Sequence, residues 1–77
     1  MIADQRKIIE ALRHGPLNQY EIAREVDLAP FAVRGELLAL KREKIVRIRF
    51  RTRDKAWELT EHGYELAWVQ HQLRIVR

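Results

Sequence analysis

At Ile45 the spacing of apolar residues changes from a period of about 3.6 to a period of about 2, which demands helices before that point and a strand after it. Val46, Ile48 and Phe50 alternate with Arg47, Arg49 and Arg51. Such a run predicts a half-buried strand with one apolar face and one arginine face. Thr52-Arg53-Asp54-Lys55 reads as a polar, charged loop. Ala56-Trp57-Glu58-Leu59 reads as the return strand, with Trp57 and Leu59 facing in. Residues 45–59 are therefore expected to form a β-hairpin with a basic tip.

Upstream of the switch, three helices are expected. The first spans about residues 3–14, with Ile8, Ile9, Leu12 and Ala11 as its buried stripe. Gly15 suits a left-handed position past its end, and Pro16 prevents continuation. The second spans about 18–27. Asn18 is its N-cap and Glu21 its N3 residue, a variant of the capping box, and Leu17 is placed to staple onto Ile22. Ile22, Ala23 and Val26 form the inner face. The third spans about 30–44. Pro30 fits the first turn, and Val33, Leu37, Leu40 and Lys44 fall on one core-facing stripe, the last at the helix end. A short helix, a tight turn and a longer helix make a helix-turn-helix arrangement.

Downstream of the hairpin, Thr60 is a good N-cap for a fourth helix over about 60–75. Gly63 in its first turn is mildly unfavourable. Tyr64, Ala67, Trp68 and His71 lie along one side of this helix, and Leu66, Val69 and Leu73 along another. A helix apolar on two sides packs on two things: here the core and a second subunit. The expected fold class is α+β, mostly α.

The charge distribution separates the hairpin region from the rest. The 77 residues carry a net charge of +4. Residues 30–55 hold 9 basic and 3 acidic side chains, a local excess of +6, while residues 1–29 and 56–77 each come to −1. A concentrated basic stretch points to a polyanionic partner, foremost nucleic acid.

Other classes are excluded or weakened. There is no Cys, hence no disulfide, thiolate metal site or thiol nucleophile. His14, His62 and His71 lack metal-ligand spacing, and no Gly-rich phosphate loop or nucleophile motif occurs. No apolar run approaches the ~18 residues of a membrane span, and the N-terminus lacks a signal-like apolar region. The expectation is one small non-enzymatic domain over residues 1–77, cytoplasmic or nucleoid-associated, without metal, cofactor or membrane.

The order helix, helix, helix, hairpin, helix resembles the winged helix-turn-helix family, and within it the MarR- and PadR-type transcription regulators. Two stretches carry the likeness. Val33-Arg34-Gly35-Glu36-Leu37-Leu38-Ala39-Leu40-Lys41-Arg42-Glu43-Lys44-Ile45-Val46 is similar to the family's recognition helix and its exit. Trp57-Glu58-Leu59-Thr60-Glu61-His62-Gly63 is similar to the aromatic-x-Leu-Thr-x-x-Gly that leads out of the wing. The resemblance covers roughly residues 5–66. Two departures stand out. The family commonly has Gly where Lys44 stands. The recognition helix is usually polar in its first two turns, whereas Pro30–Glu36 here contains no Ser, Thr, Asn or Gln.

The resemblance implies a DNA-binding regulator that places its third helix in the major groove of double-stranded DNA. It also implies dimerisation through terminal helices, with Trp68, Gln72, Leu73 and Val76 as candidate interface residues, and at this length a regulator without an effector domain. The residues themselves rank the contacts. The outer face of the third helix carries Phe31, Gly35, Leu38 and Arg42, flanked by Arg34 and Lys41. Arg34 is the candidate base reader, because Arg pairs bidentately with guanine; its plain alternative is a solvated arginine. Gly35 marks either a close backbone approach or a tolerated substitution. Phe31 suits thymine methyl contact or a fold-back on the turn at Leu28, the latter preferred. Leu38 is expected to lie partly beneath the hairpin. Arg47, Arg49 and Arg51 step about 6.6 Å apart along one strand face. With Arg53 and Lys55 they make a line of five cations suited to phosphates or the minor groove, or to keeping an edge strand soluble. Asn18, Gln19 and Tyr20 open the second helix, where phosphates bind readily. The rival class is a winged-helix protein-interaction module using Phe31 and Leu38. A third reading is non-specific nucleic-acid binding led by the wing.

Overall fold

The structure, a computed structural model, describes residues 3–75. It runs α1 (Ala3–Leu12), β1 (Leu17–Asn18), α2 (Gln19–Val26), α3 (Pro30–Arg42), β2 (Val46–Phe50), β3 (Lys55–Leu59) and α4 (Glu61–Ile75). The strands form one antiparallel sheet in the order β1-β3-β2. Residues Leu17–Asn18 thus add a third strand to the hairpin.

The helices bury the stripes that their periodicity defines. Ile8, Ile9 and Leu12 of α1, Ile22, Ala23 and Val26 of α2, and Val33, Leu37 and Leu40 of α3 form one core. Val46, Trp57 and Leu59 close it from the sheet, and Ala67 from α4. Burying a Leu, Ile or Val side chain of this kind contributes about 1.5–3 kcal/mol.

The ends of the elements are set by local chemistry. The Glu21 N–H donates to the Asn18 side chain and the Glu21 carboxylate accepts from the Asn18 N–H, both at 2.8 Å, so the capping box is complete. Asp27 closes α2 in the left-handed region at φ 57, a conformation Asp tolerates better than most side chains. α1 ends at Leu12, two residues short of the expected His14, because the chain already turns there: the Arg13 and Gly15 N–H groups donate to the Glu10 and Leu12 carbonyls.

α3 also ends early, and Lys44 is exposed instead of completing the core stripe. The Ile45 N–H donates to Leu40 O at 2.9 Å and the Lys44 N–H to Lys41 O at 2.9 Å. Lys44 itself sits at φ 62. These are the bonds of a Schellman stop with Lys44 at the left-handed position that glycine favours. The reversal turns Ile45 into the core, where it takes the place expected of Lys44.

The same turn organises the start of α4. The Thr60 hydroxyl donates to Lys44 O at 2.6 Å and accepts from the Gly63 N–H at 3.1 Å. The Thr60 N–H donates to Ile45 O at 3.0 Å. Gly63 lies directly over that Ile45 carbonyl, so the glycine that helix propensity disfavours is required by a close approach. The Leu-Thr-x-x-Gly sequence is thus a clasp between the exits of α3 and the hairpin.

Alternation along β2 does not carry its apolar face into the core as far as expected. Val46 is buried and Ile48 half-buried, but Phe50 is 80% exposed. The hairpin outruns the helical core, and its tip stands in solvent.

Candidate nucleic-acid interface

The outward face of α3 is open along its length. Arg34, Lys41 and Arg42 are exposed, and among the described residues none of them forms an ion pair. Apart from its chain neighbours and its own helix backbone, nothing among the described residues lies within 4 Å of where a Gly35 side chain would begin. Phe31 is 80% exposed and does not fold back on the turn, since Leu28 is engaged with the core. Leu38 is 41% exposed, so part of its side chain stands open on this face. The start of α2 is tied to the start of α3 by Gln19, whose Nε2 donates to Pro30 O at 2.9 Å. Beside this link Tyr20 is exposed.

The wing is more neutral than a line of five cations. Arg47 lies across from Glu58 and Arg49 across from Ala56, so both arginines share a face with Glu58. The Glu58 carboxylate accepts from Arg47 at 2.6 Å and from Arg49 at 3.3 Å. These hydrogen bonds, Arg47's foremost, hold the Glu58 carboxyl below its ordinary pKa. Both guanidiniums nonetheless keep more than half their side-chain surface in solvent, at 65% and 61%.

Arg51, though exposed, is committed to partners within the protein. Its guanidinium bonds to Asp54 at 2.6 Å and to Glu21 at 3.0 Å. Asn18 Nδ2 donates to the same Asp54 carboxylate at 2.8 Å. Arg51 and then Asn18 push the Asp54 pKa down to about 2. The Asn18 N–H and the Arg51 side chain lower that of Glu21. This network fastens the wing loop to the cap of α2, and it occupies Asn18 with internal partners. Lys55 pairs across from Phe50 and so shares its face, opposite Arg47 and Arg49. Arg53 and Lys55 are exposed and form no ion pair among the described residues.

Sequence reasoning missed the three carboxylates that shape this surface. Glu58 was accessible from hairpin register: a turn centred on Thr52-Arg53 sets Arg47 across from it. Asp54 stands three residues from Arg51, a spacing that permits a loop ion pair. Glu21 is 30 residues from Arg51, and no local signal announces their meeting.

On α4, Trp68 and Leu73 are 62% and 69% exposed, with Tyr64 and Val69 also open. Gln72 is half-buried, and Val76 lies outside the described residues. An open groove of about 970 Å³ runs between α1, the end of α2 and α4, lined by Lys7, His14, Val26, Leu66, Val69 and Leu73 among others. Among the described residues no three His, Asp or Glu side chains gather as metal ligands, and no helix is long and apolar enough to cross a membrane.

Three helices, a clasped hairpin and a following helix, with a helix-turn-helix at α2–α3, define a winged helix-turn-helix fold. Known structures share it. Lactococcus lactis ZitR, a zinc-responsive MarR family member, superposes with a TM-score of 0.85 at 23% identity over 94% of this chain and 52% of its own. Bordetella bronchiseptica BpsR, solved in a study of how 6-hydroxynicotinic acid regulates its DNA binding, gives 0.84 at 25% identity over 94% and 53%. S. aureus MepR in complex with DNA gives 0.84 at 22% identity over 94% and 63%. The fold is that of MarR-family winged-helix regulators, and the chain spans about half the length of the first two. No family model matches the sequence, and no curated protein matches it.

Proposed function

We propose that this chain is a small non-enzymatic DNA-binding protein that acts as a transcription regulator. The observation that carries the reading is the set of exposed cations on α3 and the wing that form no ion pair among the described residues: Arg34, Lys41, Arg42, Arg53 and Lys55. It coincides with the +6 excess of residues 30–55. A fold neighbour crystallised with DNA adds support.

In this reading α3 enters the major groove. Arg34 reaches a guanine edge, Phe31 a thymine methyl, and the bare backbone at Gly35 lets the helix seat deeply. Lys41 and Arg42 neutralise phosphates, as do Arg53, Lys55 and the solvent-facing guanidiniums of Arg47 and Arg49. Arg51, Asn18 and Gln19 position instead of contact: they hold the wing loop and the start of α3 against the cap of α2. Tyr20 offers its hydroxyl to the backbone. Two copies pair through α4, where Trp68 and Leu73 stand exposed beside the α1–α4 groove that Leu73 also lines. Such a dimer reads a two-fold site and works in the cytoplasm or on the nucleoid.

A second reading, a protein-docking module, draws on the exposure of Phe31 and Leu38. Selection of bound duplexes from a random library separates the two. A consensus that loses one guanine preference in Arg34→Ala supports base reading by α3. Capture without a consensus reduces the function to wing-led, non-specific binding. No capture at all leaves the docking reading.

A further inference from the structure

Phe50 is an aromatic side chain that the fold leaves unused. It ends β2 and is 80% exposed, although its strand face begins with the buried Val46. Its cross-strand partner is Lys55, so a phenyl ring and an ammonium group share one face of the wing tip. Arg49 precedes it, and Arg51, Thr52 and Arg53 follow.

The ring does not sit on a loose loop. Immediately after it, the Arg51 N–H donates to Asp54 O at 2.8 Å, and the Arg51 side chain grips Asp54 and Glu21. The Asn18 amide bonds to Asp54 from α2. The tip is therefore held to the N-terminal cap of α2 by two links, Arg51–Glu21 and Asn18–Asp54. An apolar ring on a tethered strand end, with Lys55 on its face and Arg53 in the adjoining loop, matches a ligand that is anionic outside and apolar within. Duplex DNA has that profile, with phosphate rows flanking stacked bases.

We propose that Phe50 is a wedge that enters the minor groove and inserts between base steps, while Lys55 and Arg53 hold the flanking phosphates. The inference rests on the DNA-binding reading and adds what the wing does to the duplex. Apolar wedges of this type unstack a step and bend the helix away from the groove they enter. Pyrimidine–purine steps such as TA unstack most readily, so the wing favours a site with such a step beneath it, without a hydrogen bond to any base there.

The test uses the full chain and duplexes with 2-aminopurine placed singly along a bound site, together with end-to-end energy transfer. The wild type is expected to raise 2-aminopurine fluorescence at one step and shorten the end-to-end distance. Phe50→Ala, whose exposed position leaves the melting temperature unchanged, abolishes both signals and weakens binding by about tenfold, within the range of a lost base–aromatic stack. Phe50→Leu retains them in part. Duplex binding by the wild type with no fluorescence rise at any step overturns the wedge and leaves DNA binding intact. An equal rise with Phe50→Ala does the same. Absence of any duplex binding overturns both.

Discussion

A Cβ atom placed on Gly63 would stand 2.1 Å from the carbonyl oxygen of Ile45. That oxygen is fixed, because it accepts the Thr60 N–H. Gly63→Ala must therefore move backbone in the clasp between α3, the hairpin and α4. Overpacking costs about 1–3 kcal/mol, and a clash with backbone belongs at the upper end. Chemical denaturation is expected to show a loss of about 3 kcal/mol, against the small gain that helix propensity alone forecasts.

Lys44 gives the opposite case. It holds φ 62 in the stop after α3 with its side chain exposed. A non-glycine residue in this region costs roughly 1–2 kcal/mol, partly offset by the greater freedom glycine adds to the unfolded chain. Lys44→Gly is expected to stabilise by about 0.5–1 kcal/mol. Thermal unfolding checks this; a lower melting temperature would contradict the Schellman assignment.

Gly35 separates stability from function. Beyond its chain neighbours and its own helix backbone, no atom of the described residues lies within 4 Å of its missing side chain. Gly35→Ala is expected to raise stability by about 1 kcal/mol through helix propensity, yet weaken duplex binding if α3 seats deeply in the groove. A variant that gains in both respects would show that DNA does not approach the helix at this position.

Much of the fold was legible because its signals are local. The switch of period at Ile45, the capping box at Asn18-Glu21 and the three helical stripes each lie within a few residues. The clasp was legible only as a pattern: Leu-Thr-x-x-Gly marked the place, but its reason is the meeting of Gly63 with Ile45, which only the packed structure supplies. Phe50 misled for a related reason. Alternation tells which face a residue is on, and not how far the core extends beneath that face. The interface was half legible. The cations are there, but Glu58, Asp54 and Glu21 decide which of them stay free, and the last comes from a distant helix.

The loop network carries a pH signature. Arg51 and Asn18 press the Asp54 pKa to about 2 from an ordinary 3.8. A carboxylate depressed in the folded state stabilises above its unfolded pKa, near 3.9, and loses that contribution as pH falls toward 2. NMR titration of the side-chain carboxyls is expected to place Asp54 near 2, and to return it toward its ordinary value in Arg51→Ala. A wild-type midpoint near 3.9 would mean that the wing loop is not fastened to α2.

The central claim, that the surface of α3 and the wing binds duplex DNA through free cations, meets its most direct test in fluorescence anisotropy with a random-sequence duplex across a salt series. Affinity is expected to fall steeply as salt rises, with Arg53→Ala flattening the log–log slope by about one unit. Arg51→Ala, whose guanidinium is held by Asp54 and Glu21, should change the slope less. No binding at low salt, or binding that ignores salt, would contradict the account.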